Sequence, residues 1–152
     1  MSKVNRRRFL QSTSTLASAT ALGVYSSTSL ARPNSPIERP RFALIGCGGQ
    51  GTGDARRALA FGDMVAACDV DSSHSGYVKD IFTKRLGREG KEVNIETCDD
   101  YRAIIDRDDI DAIICGTVDH WHVKIAAEAL RSGKDVYCEK PLTLTVDEGR
   151  II

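Results

Sequence analysis

From Arg41 onward, short apolar runs alternate with longer stretches of mixed character. Phe42–Ile45, Met64–Cys68 and Ile110–Cys115 are strongly apolar and of strand length, while Val93–Thr97 and Asp135–Cys138 are weaker runs of the same kind. Between them lie four segments with helical character. Asp54–Phe61 is the first, and Tyr77–Leu86 the second, closed by Gly87 and Gly90. Asp99 and Asp100 suit a helix N-terminus leading into Tyr101–Ile105. Asp119 caps a helix running to about Arg131, with Gly133 just past its end. A further helix begins at Val146, because Thr145 and Glu148 form a capping box around it. Strands alternating with helices predict an α/β fold. Right-handed crossovers then give a doubly wound parallel sheet with helices on both faces. Apolar runs without polar alternation fit strands buried on both sides.

The first strand-to-helix crossover carries chemistry. Ile45–Gly51 reads IGCGGQG, a G-x-G-x-x-G pattern on Gly46, Gly48 and Gly51. Gly46 permits a tight turn and Gly48 lets the backbone approach a pyrophosphate. Gly51 lets helix and strand pack closely, and the helix N-terminus offers free N–H groups to phosphate. Gln50 belongs to the same loop. By itself the motif is equally a glycine-rich structural turn, but here it follows a strand and opens a helix. Asp69 ends the second strand, where a carboxylate can accept both ribose hydroxyls and repel a 2′-phosphate. The cofactor expected is therefore a dinucleotide, NAD in preference to NADP. An aspartate that merely caps the next turn is the other reading of Asp69.

The N-terminal segment belongs outside this rhythm. Paired Arg6 and Arg7, then Phe9-Leu10, precede a weakly apolar Ser/Thr/Ala-rich stretch from Ser12 to Leu30, and Ser29-Leu30-Ala31 offers small residues to a signal peptidase. Residues 1–31 are read as a twin-arginine export signal, which implies periplasmic or otherwise exported protein and the export machinery as a partner. A disordered basic tail is the alternative. Pro33, Pro36 and Pro40 mark 32–40 as a linker, so 41–152 is the dinucleotide-binding domain.

Composition narrows the partners. The chain has 152 residues, 41% of them hydrophobic, enough for one domain with a core. Its formal net charge of zero gives no electrostatic reason to expect nucleic acid. No run is long and apolar enough for a membrane anchor. The five cysteines, Cys47, Cys68, Cys98, Cys115 and Cys138, fall mostly on strands and read as buried core thiols rather than a disulfide framework. Export of an already folded chain is compatible with that. His120 and His122 are two apart at a helix start and point to different faces, so no metal site is expected. Trp121 reads as packing or as an aromatic wall of the groove.

Two further stretches, GTVDHWH over Gly116–His122 and CEKP over Cys138–Pro141, stand at the ends of the fourth and fifth strands. With the glycine loop and Asp69 they come in one order, and Arg41–Ile152 resembles the N-terminal half of the Gfo/Idh/MocA oxidoreductases. That resemblance implies a Rossmann-type sheet, halted here before the family's C-terminal α/β domain. Many members carry proline where Val118 stands. The resemblance also implies that Thr117 and His120 line the cofactor groove and that Glu139 and Lys140 lie beside the nicotinamide, often with a cis peptide before the proline. Lys140 is the catalytic candidate. A lysine next to a positive nicotinamide and partly desolvated has a lowered proton affinity, which suits acid/base work on an alcohol. A rim lysine salt-bridged to Glu139 is the alternative.

The expected function is an NAD-dependent oxidoreductase acting on a sugar or polyol, with this chain supplying the cofactor portion. An NAD-assisted glycoside hydrolase and a non-catalytic dinucleotide-binding module are the alternatives, and a second copy of the chain is a candidate partner. The fragment alone is expected to be inactive. A helix started at Val146 and stopped at Ile152 suggests a longer enzyme.

Overall fold

The computed structural model describes residues 39–152. The expected signal over 1–31 and nearly all of the linker lie outside the described residues. Five strands form one parallel sheet in the order β3-β2-β1-β4-β5. They are β1 (Arg41–Ile45), β2 (Asp63–Cys68), β3 (Glu96–Cys98), β4 (Ala112–Cys115) and β5 (Asp135–Cys138). The chain moves outward from β1 to β3, then returns to lay β4 on the other side of β1. This reversal opens a crevice over the carboxyl ends of β1 and β4, the place where open α/β sheets bind ligands. The expected Rossmann-type architecture is present.

Alternation along each strand sorts the core into two layers. Phe42 and Leu44 of β1, with Met64, Ala67 and Ile114, pack beneath helices α1 (Gly49–Ala58) and α2 (Ser72–Arg88), which contribute Ala55, Val78 and Phe82. Ala43 and Ile45 face the opposite layer with Ala66, Ile113 and Cys115, covered by α3 (Tyr101–Ile105) and α4 (His122–Arg131) through Ile104 and Ile125. Phe42 to Ile45 are all buried, which is why β1 reads as an unbroken apolar run.

Several boundaries differ from those the pattern suggests. Helix α1 begins at Gly49, not Asp54: Thr52 N–H donates to Gly48 O at 2.9 Å, so only Gly46–Gly48 form the turn. Glycine is a poor helix former, and close packing of Gly51 on the sheet overrides that preference here. Helix α2 starts earlier, at Ser72, with Asp71 as N-cap accepting from Ser73 N–H, and it runs through Gly87 to Arg88. The chain turns only at Gly90, φ +75°. Strand β3 is three residues long, as befits an edge whose residues are largely exposed. Asp119 is not a cap: Val118 precedes a single 3₁₀ turn over Asp119–Trp121, and α4 follows from His122. By contrast Asp100 caps α3, accepting from Arg102 N–H, and the Thr145/Glu148 capping box opens α5 (Val146–Ile151) as its sequence dictates. Among the described residues no helix is long and apolar enough to cross a membrane.

Candidate functional site: the crevice at the carboxyl ends of β1, β2, β4 and β5

The loop after β1 is shaped by contacts of backbone on backbone. Gly46 has φ +91°, and a Cβ there would lie 2.6 Å from the Gly116 carbonyl and the Thr117 nitrogen. A Cβ on Gly51 would lie 2.1 Å from Gly46 O, and one on Gly116 2.6 Å from Gly51 Cα. These three glycines therefore interlock the β1 turn, the start of α1 and the end of β4. Gly116 joins the set only through this contact; the sequence signal for it was a glycine at the end of a strand adjacent to β1. Gly48 behaves oppositely, since a Cβ there meets nothing within 4 Å, and the same holds for Gly49. Open backbone at those two positions, at a helix start with no capping side chain and no acidic residue in its first turn, leaves N–H groups free for an anion.

Asp69, just beyond β2, braces this loop. Its Oδ2 accepts from Cys47 N–H at 2.7 Å and its Oδ1 from Asp71 N–H at 3.0 Å. His74 Nδ1 lies 3.7 Å from Oδ2. The side chain is 13% exposed.

On the other side of the crevice, Gln50 reaches from α1 to the end of β5. Its Nε2 donates to Glu139 Oε1 at 3.1 Å and to Asp54 Oδ2 at 3.2 Å. Glu139 also accepts from Lys140 N–H at 3.1 Å and from the Tyr137 hydroxyl at 3.2 Å. The Lys140 amide first, with Gln50 and Tyr137 behind it, holds the Glu139 carboxyl below the usual glutamate range. Among the described residues the Lys140 ammonium makes no ion pair; Glu139 engages its backbone instead. The Lys140–Pro141 peptide is cis.

The stretch after β4 divides its two histidines. His120 is exposed, its ring centroid 6.2 Å from that of Trp121. Trp121 in turn meets Tyr101 edge-on at 5.9 Å, so it is partly a packing residue. Thr117 lies at the crevice, its Oγ1 3.6 Å from Cys115 Sγ. His122 is 1% exposed and points inward, with Nδ1 2.7 Å from Pro141 O and Nε2 3.0 Å from Thr117 O. It was not among the expected site residues, because its partners lie 5 and 19 positions away. All five cysteines are free. Burial, and secondarily the charge of Asp69, pushes the Cys47 thiol up to about 12. The hydrogen bond from Cys138, ahead of those from Thr117, lowers the Cys115 thiol against the cost of its burial. A separate cavity of about 480 Å³ lies on the α1 face of the sheet against Phe42, Ala58, Phe61, Ile114, Val136 and Tyr137. It is mostly apolar, and Asp54 and Tyr137 border both it and the Gln50–Glu139 cluster.

Residues 40–152 match the family described as "Oxidoreductase family, NAD-binding Rossmann fold", GFO_IDH_MocA. The chain belongs to this family. An alpha-N-acetylgalactosaminidase from Shewanella oneidensis is 30% identical over 97% of the chain and 36% of its own length. A glycosyl hydrolase family 109 protein from Shewanella pealeana is 29% identical over 96% of the chain and 35% of its own length. Of solved structures, myo-inositol 2-dehydrogenase from Lactobacillus plantarum superposes with a TM-score of 0.62 at 31% identity, covering 75% of this chain and 32% of that one. The chain spans about a third of the length of these relatives. It is an NAD-binding Rossmann domain of the Gfo/Idh/MocA oxidoreductases. Its residues fit that cofactor: an open glycine cradle at an uncapped helix N-terminus stands beside an acidic second-strand end.

Proposed function

We propose that this chain is the cofactor portion of an NAD-dependent oxidoreductase acting on a sugar or polyol. The observation that carries the reading is the open backbone at Gly48 and Gly49, aimed from the α1 N-terminus and flanked by Asp69 on one side and Glu139-Lys140 on the other. Bound NAD supplies a hydride acceptor. The Gly48–Gln50 N–H groups hold its pyrophosphate, and Asp69 accepts from its ribose hydroxyls. Lys140 takes the proton that leaves the substrate hydroxyl as the hydride departs, and Glu139, fixed by Gln50, sets the backbone from which Lys140 extends. NAD is favoured over NADP because Asp69 repels a 2′-phosphate.

A second reading has specific support. Both relatives described above, which align with nearly the whole chain, are named as glycosidases. In an NAD-assisted hydrolysis, a sugar hydroxyl is oxidised, the glycosidic bond is broken by elimination, water adds, and the carbonyl is reduced again. The same Lys140 would move the same proton in both directions. Product analysis on a full-length protein separates the two. Net NADH formation with a free polyol or sugar supports the oxidoreductase. Release of the aglycone from a glycoside, dependent on NAD but without net NADH, supports the hydrolase. Absence of NAD binding in calorimetry would remove both.

Export by the twin-arginine route belongs to this proposal, on the strength of Arg6-Arg7 with Phe9-Leu10. Folding before export lets the cofactor cross inside the protein.

A further inference from the structure

The last residue of β4, Cys115, and the last residue of β5, Cys138, are Cα partners in parallel register. Both side chains therefore project to the same layer, the one covered by α3 and α4. His122, the first residue of α4, is buried in that layer. One donor atom from each of the three residues lies within 4.8 Å of the other two.

His122 adds an independent argument. Both ring nitrogens face backbone carbonyls, Nδ1 toward Pro141 O and Nε2 toward Thr117 O. A carbonyl only accepts, and a neutral imidazole has a single N–H. In the neutral ring one nitrogen thus presents its lone pair to an oxygen lone pair inside a buried layer. With Nδ1–H assigned to the shorter contact, 2.7 Å to Pro141 O, Nε2 is the lone pair facing Thr117 O. A cation between Nε2 and that carbonyl turns the repulsion into ligation. An imidazole whose other N–H is fixed by a backbone carbonyl is the usual arrangement of a metal-bound histidine.

We infer that Cys115, Cys138 and His122 form a binding site for a thiophilic metal ion, zinc in the first instance, at the carboxyl ends of β4 and β5. Two thiolates and one imidazole are a soft donor set that selects zinc and its relatives over magnesium or calcium. The carbonyl of Thr117 is placed to complete four-coordination. Zinc–sulfur and zinc–nitrogen bonds of about 2.3 and 2.0–2.1 Å put neighbouring ligand atoms roughly 3.4–3.8 Å apart, so side-chain adjustments of about 1 Å suffice. Cys138 is only partly buried and provides access. With no open position for substrate, the ion is structural. It ties the β4 and β5 ends to α4 and so steadies the Glu139–Pro141 turn from behind.

The test uses the reduced full chain with zinc alone as the probe, and cadmium for spectroscopy. One equivalent of zinc per chain is expected to survive dialysis, with X-ray absorption reporting two sulfurs at about 2.3 Å and nitrogen or oxygen at about 2.0–2.1 Å. Cadmium should produce a thiolate charge-transfer band. Cys115→Ser and Cys138→Ser should each weaken zinc binding by at least the 10–100-fold that loss of an outer-shell partner costs. Cys68→Ser is the control, since Cys68 and Cys98 are also in register across β2 and β3. His122→Gln disturbs the packing at Thr117 and Pro141, so the two serine variants, with folding checked by circular dichroism, carry the decision. Failure of the reduced, folded chain to bind zinc would overturn the inference, as would an all-sulfur coordination shell. So would binding that is unchanged by Cys115→Ser and Cys138→Ser.

Discussion

Replacing Gly51 by alanine tests the interlock that forms the cofactor loop. The added methyl would sit 2.1 Å from Gly46 O, and 3.3 Å from both Gly46 C and a Leu44 methyl. Two non-bonded heavy atoms are comfortable at about 3.5–4.0 Å, so backbone must part from backbone by more than 1 Å. Overpacking of this kind costs about 1–3 kcal/mol and more where the neighbour is rigid. Alanine returns up to about 1 kcal/mol through its better helix propensity. With the clash against backbone placed at the upper end, the net loss is about 2 kcal/mol. For a folded region of this size that is roughly a 6–12 °C fall in Tm. Gly48→Ala has open space around it and should leave Tm nearly unchanged. Its effect should appear instead in NAD affinity, because the methyl stands where the backbone meets the pyrophosphate. The assay is paired thermal unfolding and NAD calorimetry on both variants. A Gly51→Ala protein as stable as wild type would refute the interlock. A Gly48→Ala protein with unaltered NAD affinity would refute the assignment of the cradle.

In a full-length enzyme Lys140→Ala should lower turnover by about 10²-fold or more, the range for losing a general acid/base, while NAD affinity changes little. Near-normal turnover would make Lys140 a surface residue. The Glu139 carboxyl is held below its ordinary value, so its bonds to Gln50 and Tyr137 are intact above the ordinary glutamate range and are lost as pH falls through the lowered value. Gln50→Ala should move the Glu139 titration, followed by NMR, upward toward that ordinary range. Arg6→Lys combined with Arg7→Lys should retain the protein in the cytoplasm, with fractionation as the readout.

Local signals were enough for much of this fold. Phe42–Ile45 is apolar on both faces because β1 is the central strand, and the capping residues Asp100 and Thr145 act within three positions of themselves. What escaped was set by contacts between distant residues. Gly116 matters because β4 lies beside β1, so that its backbone meets Gly51. His122 looks like half of a histidine pair in sequence, yet the 3₁₀ turn before α4 sends it inward and leaves His120 outside. The early start of α1 was hidden for a related reason. Glycines at 49, 51 and 53 signal a loop, and only packing against the sheet makes them helical.

Under the proposed function Asp69 has the cofactor preference beside its role as brace of the loop, and an experiment separates the two. The Cys47 and Asp71 amides already occupy one site on each carboxylate oxygen. A carboxylate has about four acceptor sites, so two remain, matching the two ribose hydroxyls. Hydrogen bonds to a charged group contribute about 1.5–3 kcal/mol each, and every 1.4 kcal/mol is tenfold in affinity. Asp69→Ala should therefore weaken NAD binding by about 10²-fold or more. Part of that loss comes from the loop, because Cys47 N–H loses its acceptor and the glycine turn its brace. That part falls equally on NAD and NADP, since both carry the same pyrophosphate. The ribose part does not. Removing the carboxylate abolishes the hydrogen bonds NAD makes and also the repulsion that the 2′-phosphate meets, so the ratio of the two dissociation constants must narrow. Calorimetry with both dinucleotides on wild type and Asp69→Ala reads that ratio. If both affinities fall in the same proportion, Asp69 is only the brace of the loop, and the preference for NAD must be sought in other residues.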